Sequence, residues 1–310
     1  MQQSALVECI PNFSEGRRGD VIAQITAAAR TAPVHILDVS SDADHNRTVV
    51  TIVGAPEAVM HAAFAMCAAA ADLIDLDIHH GVHPRIGAAD VIPFVPLRGI
   101  TLDACVELAR QLGRRIADEL GLPVYLYEAA ALRPERRKLA AIRRGGYEAL
   151  KTAIATDADR APDYGAPKLG KAGAVAVGAR MPLIAFNAYL NTDDVQTARA
   201  IAESIRESGG GLKHVKALGL LVGGRAQVSM NLTDYRQTGL FAAMQAVIRE
   251  AARHGAAVER TELVGLIPQA ALINYAVDAL GLPAHARRLT LEGRLGEMLG
   301  DYRPILFDEQ

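Results

Sequence analysis

VHILDVSSDADHNRTVVTIVG, residues 34–54, decides the fold class. Its two ends, Val34 to Val39 and Thr48 to Val53, are rich in β-branched residues, and its middle, Ser40 to Asn46, is polar, so it reads as two strands joined by a loop. A helical pattern precedes it, with Val21, Ile22, Ile25, Ala28 and Ala29 spaced along one face between Asp20 and Thr31. A second helix is expected from about Glu57 to Ile74, after the punctuation of Gly54 and Pro56. With strands at Leu6 to Ile10 and Ala89 to Val95, the order becomes β-α-β-β-α-β. A hairpin between two helices breaks the strand-helix alternation of a doubly wound nucleotide-binding sheet. It points instead to a split βαβ unit.

Beyond Val95 the pattern predicts a helix over Leu102 to Leu120, a strand over Val124 to Tyr127 and a basic helix from about Pro134 to Arg144. Residues 157–173 are rich in Asp, Pro and Gly and read as a linker or functional loop. The first pattern then recurs. A strand over Leu183 to Leu190 leads into a helix over Asp193 to Arg206, with Asn191 and Thr192 placed to cap it. Val215 to Val222 and Ala226 to Leu232 form a hairpin around Gly223 and Gly224. A helix over Gly239 to His254, a strand over Val258 to Leu266 and a helix opened by Pro268 complete the repeat. The expectation is therefore an α+β protein of two tandem ferredoxin-like βαββαβ lobes, with helices packed outside mainly antiparallel sheets. The lobes would span 1–178 and 179–310, with a site in the cleft between them.

Bulk properties narrow the function. The 310 residues are half apolar, lack tryptophan and carry a formal net charge of −2. No basic stripe of a nucleic-acid binder is present; Arg133 to Lys138 and Arg143–Arg144 read as solvated helix faces. The three cysteines, Cys9, Cys67 and Cys105, are far apart, which fits buried thiols in a reducing cytoplasm. The start of the chain lacks the pattern of a signal peptide. The longest apolar run, around Ala62 to Ala71, is too short to cross a bilayer. No nucleic-acid or membrane partner is expected.

His79-His80-Gly81-Val82-His83-Pro84-Arg85 holds three histidines in five residues beside an arginine. His79 and His83 have the i, i+4 spacing of helical zinc ligands, but Gly81 and Pro84 break that helix and no glutamate completes the set, so no metal is expected. Two readings stay open for this stretch: a polar loop bonded to its own backbone, or an imidazole moving a proton at neutral pH. The loop Ser41 to Arg47 lacks the spacing of a calcium loop; its Arg47 suits a bidentate carboxylate. In Pro11-Asn12-Phe13-Ser14-Glu15-Gly16, Ser14 is placed to cap the next helix, whose amides also suit an anion. Gly165 to Ala172 fits G-x-x-x-x-G-K but ends in alanine where a P-loop needs a hydroxyl for magnesium, so the match is read as coincidence.

Together these stretches closely resemble the formiminotransferase family, including the transferase part of formimidoyltransferase-cyclodeaminase. The resemblance lies in VECIPNFSEG (7–16), DHNRTVVTIVG (44–54), HHGVHPRIGAADVIPFVPLRG (79–99), LGLPVYLYEAA (120–130), APDYG (161–165), GARMPLIAFNAYLNT (178–192), AQVSMNLTDY (226–235) and ELVGLIPQAAL (262–272). It implies transfer of a formimino group from N-formimino-L-glutamate to N5 of tetrahydrofolate, as in histidine degradation and one-carbon metabolism. Tetrahydrofolate would be a co-substrate, and the protein a cytoplasmic homodimer. The family's catalytic histidine falls on His83. Its folate-binding segment falls on Gly165, Ala166, Pro167, Lys168, Leu169, Gly170, Lys171, Ala172 and Gly173, where the two ends match and the middle departs.

One imidazole between two nitrogens can take the N5 proton and return it to the departing glutamate nitrogen, so His83 is assigned as base, then acid. Asp42, Asp38 or Asp90 would orient it. Arg47 and Arg85 are candidates for the substrate carboxylates, with Asn12, Asp42 and Asn46 alongside. The rivals are an N-formylglutamate-dependent formyltransferase, a folate-binding protein without catalysis, and a nucleotide binder using the Lys171 loop.

Overall fold

The computed structural model describes residues 4–298. The chain divides into two compact units: residues up to Pro182 with Leu220–Arg225 and Val264–Leu266, and the remainder from Leu183 onward. The fold is mixed α/β, with two sheets.

The first unit holds strands β1 (Leu6–Cys9), β2 (Asn12–Phe13), β3 (Val34–Asp42), β4 (Arg47–Gly54), β5 (Ala89–Arg98), β6 (Val124–Glu128) and β7 (Val175–Ala179). Strands β1 and β2 lie in succession along the same two neighbours, β4 and β5, and form one broken path interrupted at Ile10–Pro11. Across the sheet the order is β3, β4, β1 with β2, β5, β7, β6. The hairpin of residues 34–54 is antiparallel, from Val34 opposite Gly54 to Asp42 opposite Arg47. It thus delivers Asp42 and Arg47 to the same end of the sheet.

Strand β7 was not expected from the sequence. It pairs in parallel with both β5 and β6, so a sheet that is otherwise antiparallel becomes mixed at this side. Every residue of β7 is buried. A strand buried on both faces shows no polar alternation, and this one is built of alanine, valine and glycine. Gly178 is obligatory there, because a Cβ would lie 2.6 Å from the Tyr127 ring.

Helices α1 (Gly19–Ala28), α2 (Pro56–Leu73) and α3 (Leu102–Leu120) bury their apolar faces in this unit. Helix α3 shows why the sequence sets its ends. Thr101 Oγ1 accepts from the Ala104 amide at 3.2 Å, and Gly121 closes it in the left-handed region at φ 66°. The expected basic helix is instead a 3-10 turn at Pro134–Arg137 followed by α4 (Leu139–Ile142). Helix α5 (Gly146–Ala153) follows the left-handed Gly145 and Gly146.

The arginines read as solvated are partly structural. Arg136 is 3% exposed and pairs with the buried Asp163 at 2.6 Å. Asp163 also accepts from the Leu126 amide at 2.7 Å. This pair ties the start of the Pro- and Gly-rich segment to β6, so the segment packs within the first unit instead of running as a free linker.

The second unit contains β8 (Ile184–Leu190), α6 (Val195–Ile205), β9 (Val215–Val222), β10 (Arg225–Leu232), α7 (Leu240–Arg253), β11 (Val258–Val264), α8 (Gln269–Ala279) and α9 (Leu291–Met298). Its strand order, β11-β8-β10-β9, repeats the permutation β5-β1-β4-β3 of the first sheet. Gly223 and Gly224 at φ 56° and 71° make the tight β9–β10 turn. The cap of α6 is Asp194, which accepts from the Gln196 and Thr197 amides, rather than Asn191 or Thr192. Among the described residues no helix is long and apolar enough to cross a membrane, and all three cysteines are buried and free.

Backbone contact joins two stretches that matter below. Gly87 and Gly173 form an antiparallel bridge, flanked by Ala88 N to Ala172 O at 2.8 Å and Ala174 N to Ile86 O at 2.9 Å. A Cβ on Gly87 would overlap the Ala174 carbonyl oxygen. Gly87→Ala is expected to lower stability by about 1–3 kcal/mol, the usual range for overpacking a tight contact. The shift of the urea unfolding midpoint checks this.

Candidate active site

The site is assembled in the first unit from five stretches: the three below, Asp90 on β5 and Arg143 after α4. Strand β2 supplies Asn12, the β3–β4 turn supplies Asp42, His45, Asn46 and Arg47, and the loop after α2 supplies His79, His83 and Arg85. Several of these side chains line an open depression of about 180 Å³.

His83 is half-buried, and its partners define its state. Arg47 Nη1 stands 2.6 Å from Nδ1 and 3.0 Å from Nε2, and the Pro84 carbonyl oxygen lies 2.8 Å from Nδ1. A neutral ring suits these neighbours, because a guanidinium donor needs an unprotonated ring nitrogen to accept from it, while the Pro84 carbonyl can only accept. Burial pushes the His83 pKa well below its usual 6.5, and the charges of Arg47, Arg143 and His45 push it in the same direction.

Arg47 is the hub. Its Nε donates to Asn12 Oδ1 at 3.0 Å and its Nη2 reaches the same oxygen, while Asn12 Nδ2 donates to Ile10 O at 2.7 Å. Arg47 Nη1 is also 3.8 Å from Asp90 Oδ2. Asp90 is 2% exposed and contacts Arg143 as well. Two guanidinium groups therefore share one carboxylate, which leaves an excess of positive charge. Burial and then Arg143 lower the Arg47 pKa to about 9, against the opposing pull of Asp90. Such a site favours an anionic ligand.

The remaining expected residues are framework around this hub. Asn46 adopts the left-handed conformation at φ 49°; its Oδ1 accepts from Gly16 N and its Nδ2 donates to His80 O, each at 2.9 Å. His79 donates through Nε2 to Asn46 O at 3.1 Å and accepts at Nδ1 from Arg85 Nε at 3.0 Å. Burial, joined by Arg85, lowers its pKa. Arg85 also donates to His79 O at 2.8 Å and to the Glu148 carboxylate at 3.0 and 2.8 Å. Asp42 accepts from the His45 amide at 2.7 Å, and its carboxylate faces the His45 ring rather than His83. Asp90 accepts from the Ile86 amide at 2.9 Å and so fixes the loop that carries His83. Ser14 donates to Gly87 O at 2.7 Å and caps no helix; the Arg17 and Arg18 amides are taken by Glu15.

The Gly165–Gly173 segment lies beside this loop through the Gly87–Gly173 bridge. Leu169 and Ala172 face the core, while Lys168 and Lys171 are exposed. Its backbone is held by Leu76 N to Lys171 O at 2.8 Å and Tyr147 OH to Gly170 O at 3.2 Å. Among the described residues no group of three or more His, Cys, Asp or Glu is arranged to hold a metal. Two members of the site, His45 and Arg143, were not picked out in the sequence. The Asp-His-Asn-Arg run was a signal for the first; Arg143 read as a surface charge.

The chain belongs to the formiminotransferase family. Residues 6–180 match the formiminotransferase domain, N-terminal subdomain, and residues 185–279 the formiminotransferase domain. It is 48% identical to the glutamate formimidoyltransferase of Streptococcus pyogenes over 87% of this chain and 92% of that one. The glutamate formimidoyltransferase of Thermoplasma acidophilum is 50% identical over 88% and 91% of the two chains. The formimidoyltransferase-cyclodeaminase of Sus scrofa is 46% identical over 88% of this chain and 52% of that longer protein.

Arg47→Met keeps side-chain bulk and removes the charge. The His83 pKa is then expected to rise while staying below 6.5, because burial, the larger cause, remains. Since the wild-type pKa lies lower, the neutral ring should persist to lower pH in the wild type than in the variant. An NMR titration of the imidazole resonances checks the direction.

Proposed function

We propose that this protein is a glutamate formimidoyltransferase that moves the formimino group of N-formimino-L-glutamate to N5 of tetrahydrofolate. The observation that carries the reading is a neutral imidazole, His83, seated among guanidinium groups with more positive charge than Asp90 balances. The chemistry moves one proton from N5 to the glutamate nitrogen, and the substrate brings carboxylates. His83 supplies a proton acceptor and Arg47 a carboxylate partner. Arg143, on the far side of Asp90, strengthens the same field, whereas Arg85 is already engaged with Glu148.

The geometry also supports a role for Arg47 in timing. Its Nη1 occupies the imidazole edge that a base must present. A substrate carboxylate that draws the guanidinium away exposes that edge, so the base is released only when the substrate is in place. The Gly165–Gly173 segment is the proposed folate-binding stretch, its exposed Lys168 and Lys171 suited to the folate glutamate carboxylate. The strand orders support reading each unit as a split βαβ lobe, the first extended by β7 and β6. A cytoplasmic homodimer rests on the family resemblance alone.

The test is release of glutamate from N-formiminoglutamate with and without tetrahydrofolate. Folate-dependent release is expected from the wild type. His83→Ala should reduce turnover by about 10²- to 10⁴-fold, the usual contribution of a proton-transfer group, with folate affinity almost unchanged. Faster transfer from N-formylglutamate would overturn the donor assignment. Folate binding with no transfer from either donor would mark a binding protein.

A further inference from the structure

A second imidazole shares the site. His45 sits in the β3–β4 turn, and its ring stands edge-on to that of His83, centroids 5.9 Å apart and planes at 85°. Its side chain is 11% exposed, and its Nδ1 lies 3.4 Å from Asp42 Oδ1. Its Nε2 is buried and has no hydrogen-bond partner. The ring lines the same depression as His83 and Arg47. A buried polar nitrogen without a partner is unfavourable unless something fills the position, and the ring that carries it belongs to the lining of this depression.

The two imidazoles have opposite neighbours. His83 meets the Arg47 guanidinium, and His45 meets the Asp42 carboxylate. One site thus holds two imidazoles in unlike surroundings, the first beside a hydrogen-bond donor and the second beside an acceptor. His83 has both ring nitrogens engaged, so a second carrier relieves it of doing two jobs in turn.

We propose that His45 is a second catalytic residue, with Asp42 as its positioning residue: its Nε2–H protonates the departing glutamate nitrogen while His83 accepts the N5 proton. This rests on the formimino-transfer reading. The balance is closed. The bond from N5 to the formimino carbon forms, and the bond from that carbon to the glutamate nitrogen breaks. The N5 proton moves to His83, the His45 proton moves to the glutamate nitrogen, and return of one proton from His83 to His45 through solvent resets the pair.

The experiment compares wild type, His45→Ala, His45→Gln and Asp42→Asn in the full chain, each checked by thermal melting. Glutamate release is followed with tetrahydrofolate, with and without added imidazole and methylimidazoles. His45→Ala and His45→Gln are expected to lose about 10²-fold or more in kcat with KM changed less than threefold. Asp42→Asn, which keeps the acceptor for the His45 amide but loses the charge, should lose less. Added imidazoles should restore His45→Ala with a rate that follows the pKa of the added compound. Folded His45 variants with wild-type kcat overturn the proposal and leave the reaction intact. Lost activity that imidazoles restore regardless of their pKa, or not at all, reduces His45 to packing and also overturns it. A wild type that releases no glutamate overturns the reaction assignment and this proposal with it.

Discussion

The contact between the Arg47 guanidinium and the His83 imidazole is the constraint on which the site depends. A permanent cation beside a titratable base favours the neutral base, and burial acts in the same direction. Neither residue could hold this position alone. Asn12 fixes the guanidinium from one side and Asp90 from the other, while the Pro84 carbonyl and the Asp90–Ile86 bond fix the imidazole loop. Each support comes from a different stretch of chain, so the catalytic geometry is a property of the sheet end rather than of any one motif.

Sheet topology explains why those stretches meet. The tight 34–54 hairpin puts Arg47 opposite Asp42 at its turn end. The broken β1–β2 path then sets Asn12 opposite Val49 on β4 and Val91 on β5. Asp90, at the start of β5, arrives beside them by the same register. On the other flank, the Gly87–Gly173 bridge fastens the His83 loop to the glycine-rich segment, and the absence of side chains at both positions is what allows the backbones to touch. Glycine here is a packing requirement as much as a conformational one.

Much of this was legible in the sequence. Helix α3 was bounded correctly because its cap, its apolar face and its terminal glycine agree, and the β9–β10 hairpin because two glycines demand a tight turn. Strand β7 was missed because Ala-Val-Ala-Val-Gly has neither alternation nor bulky β-formers; what makes it a strand is burial between β5 and β6, a tertiary fact. Arg136 and Arg143 were misread for the same reason. A cluster of charges on a short helix looks solvated until the chain places Asp163 and Asp90 beside it. His45 was visible as a residue, but its open Nε2 is a matter of three-dimensional accounting that no local pattern contains.

The charge arrangement also carries an energetic cost. A buried ion pair stabilises poorly because desolvation offsets attraction, and an unbalanced one is worse. Burial first, and Arg143 second, lower the pKa of Arg47, so Arg47 and Arg143 around a single Asp90 work against stability. Asn12 Oδ1 holds the Arg47 guanidinium by hydrogen bonds that do not require a counter-charge. Under the proposed reaction, a substrate carboxylate would remove the imbalance and at the same time loosen the hold of Arg47 on His83. Binding energy and activation of the base would then come from one event, because one guanidinium would serve both.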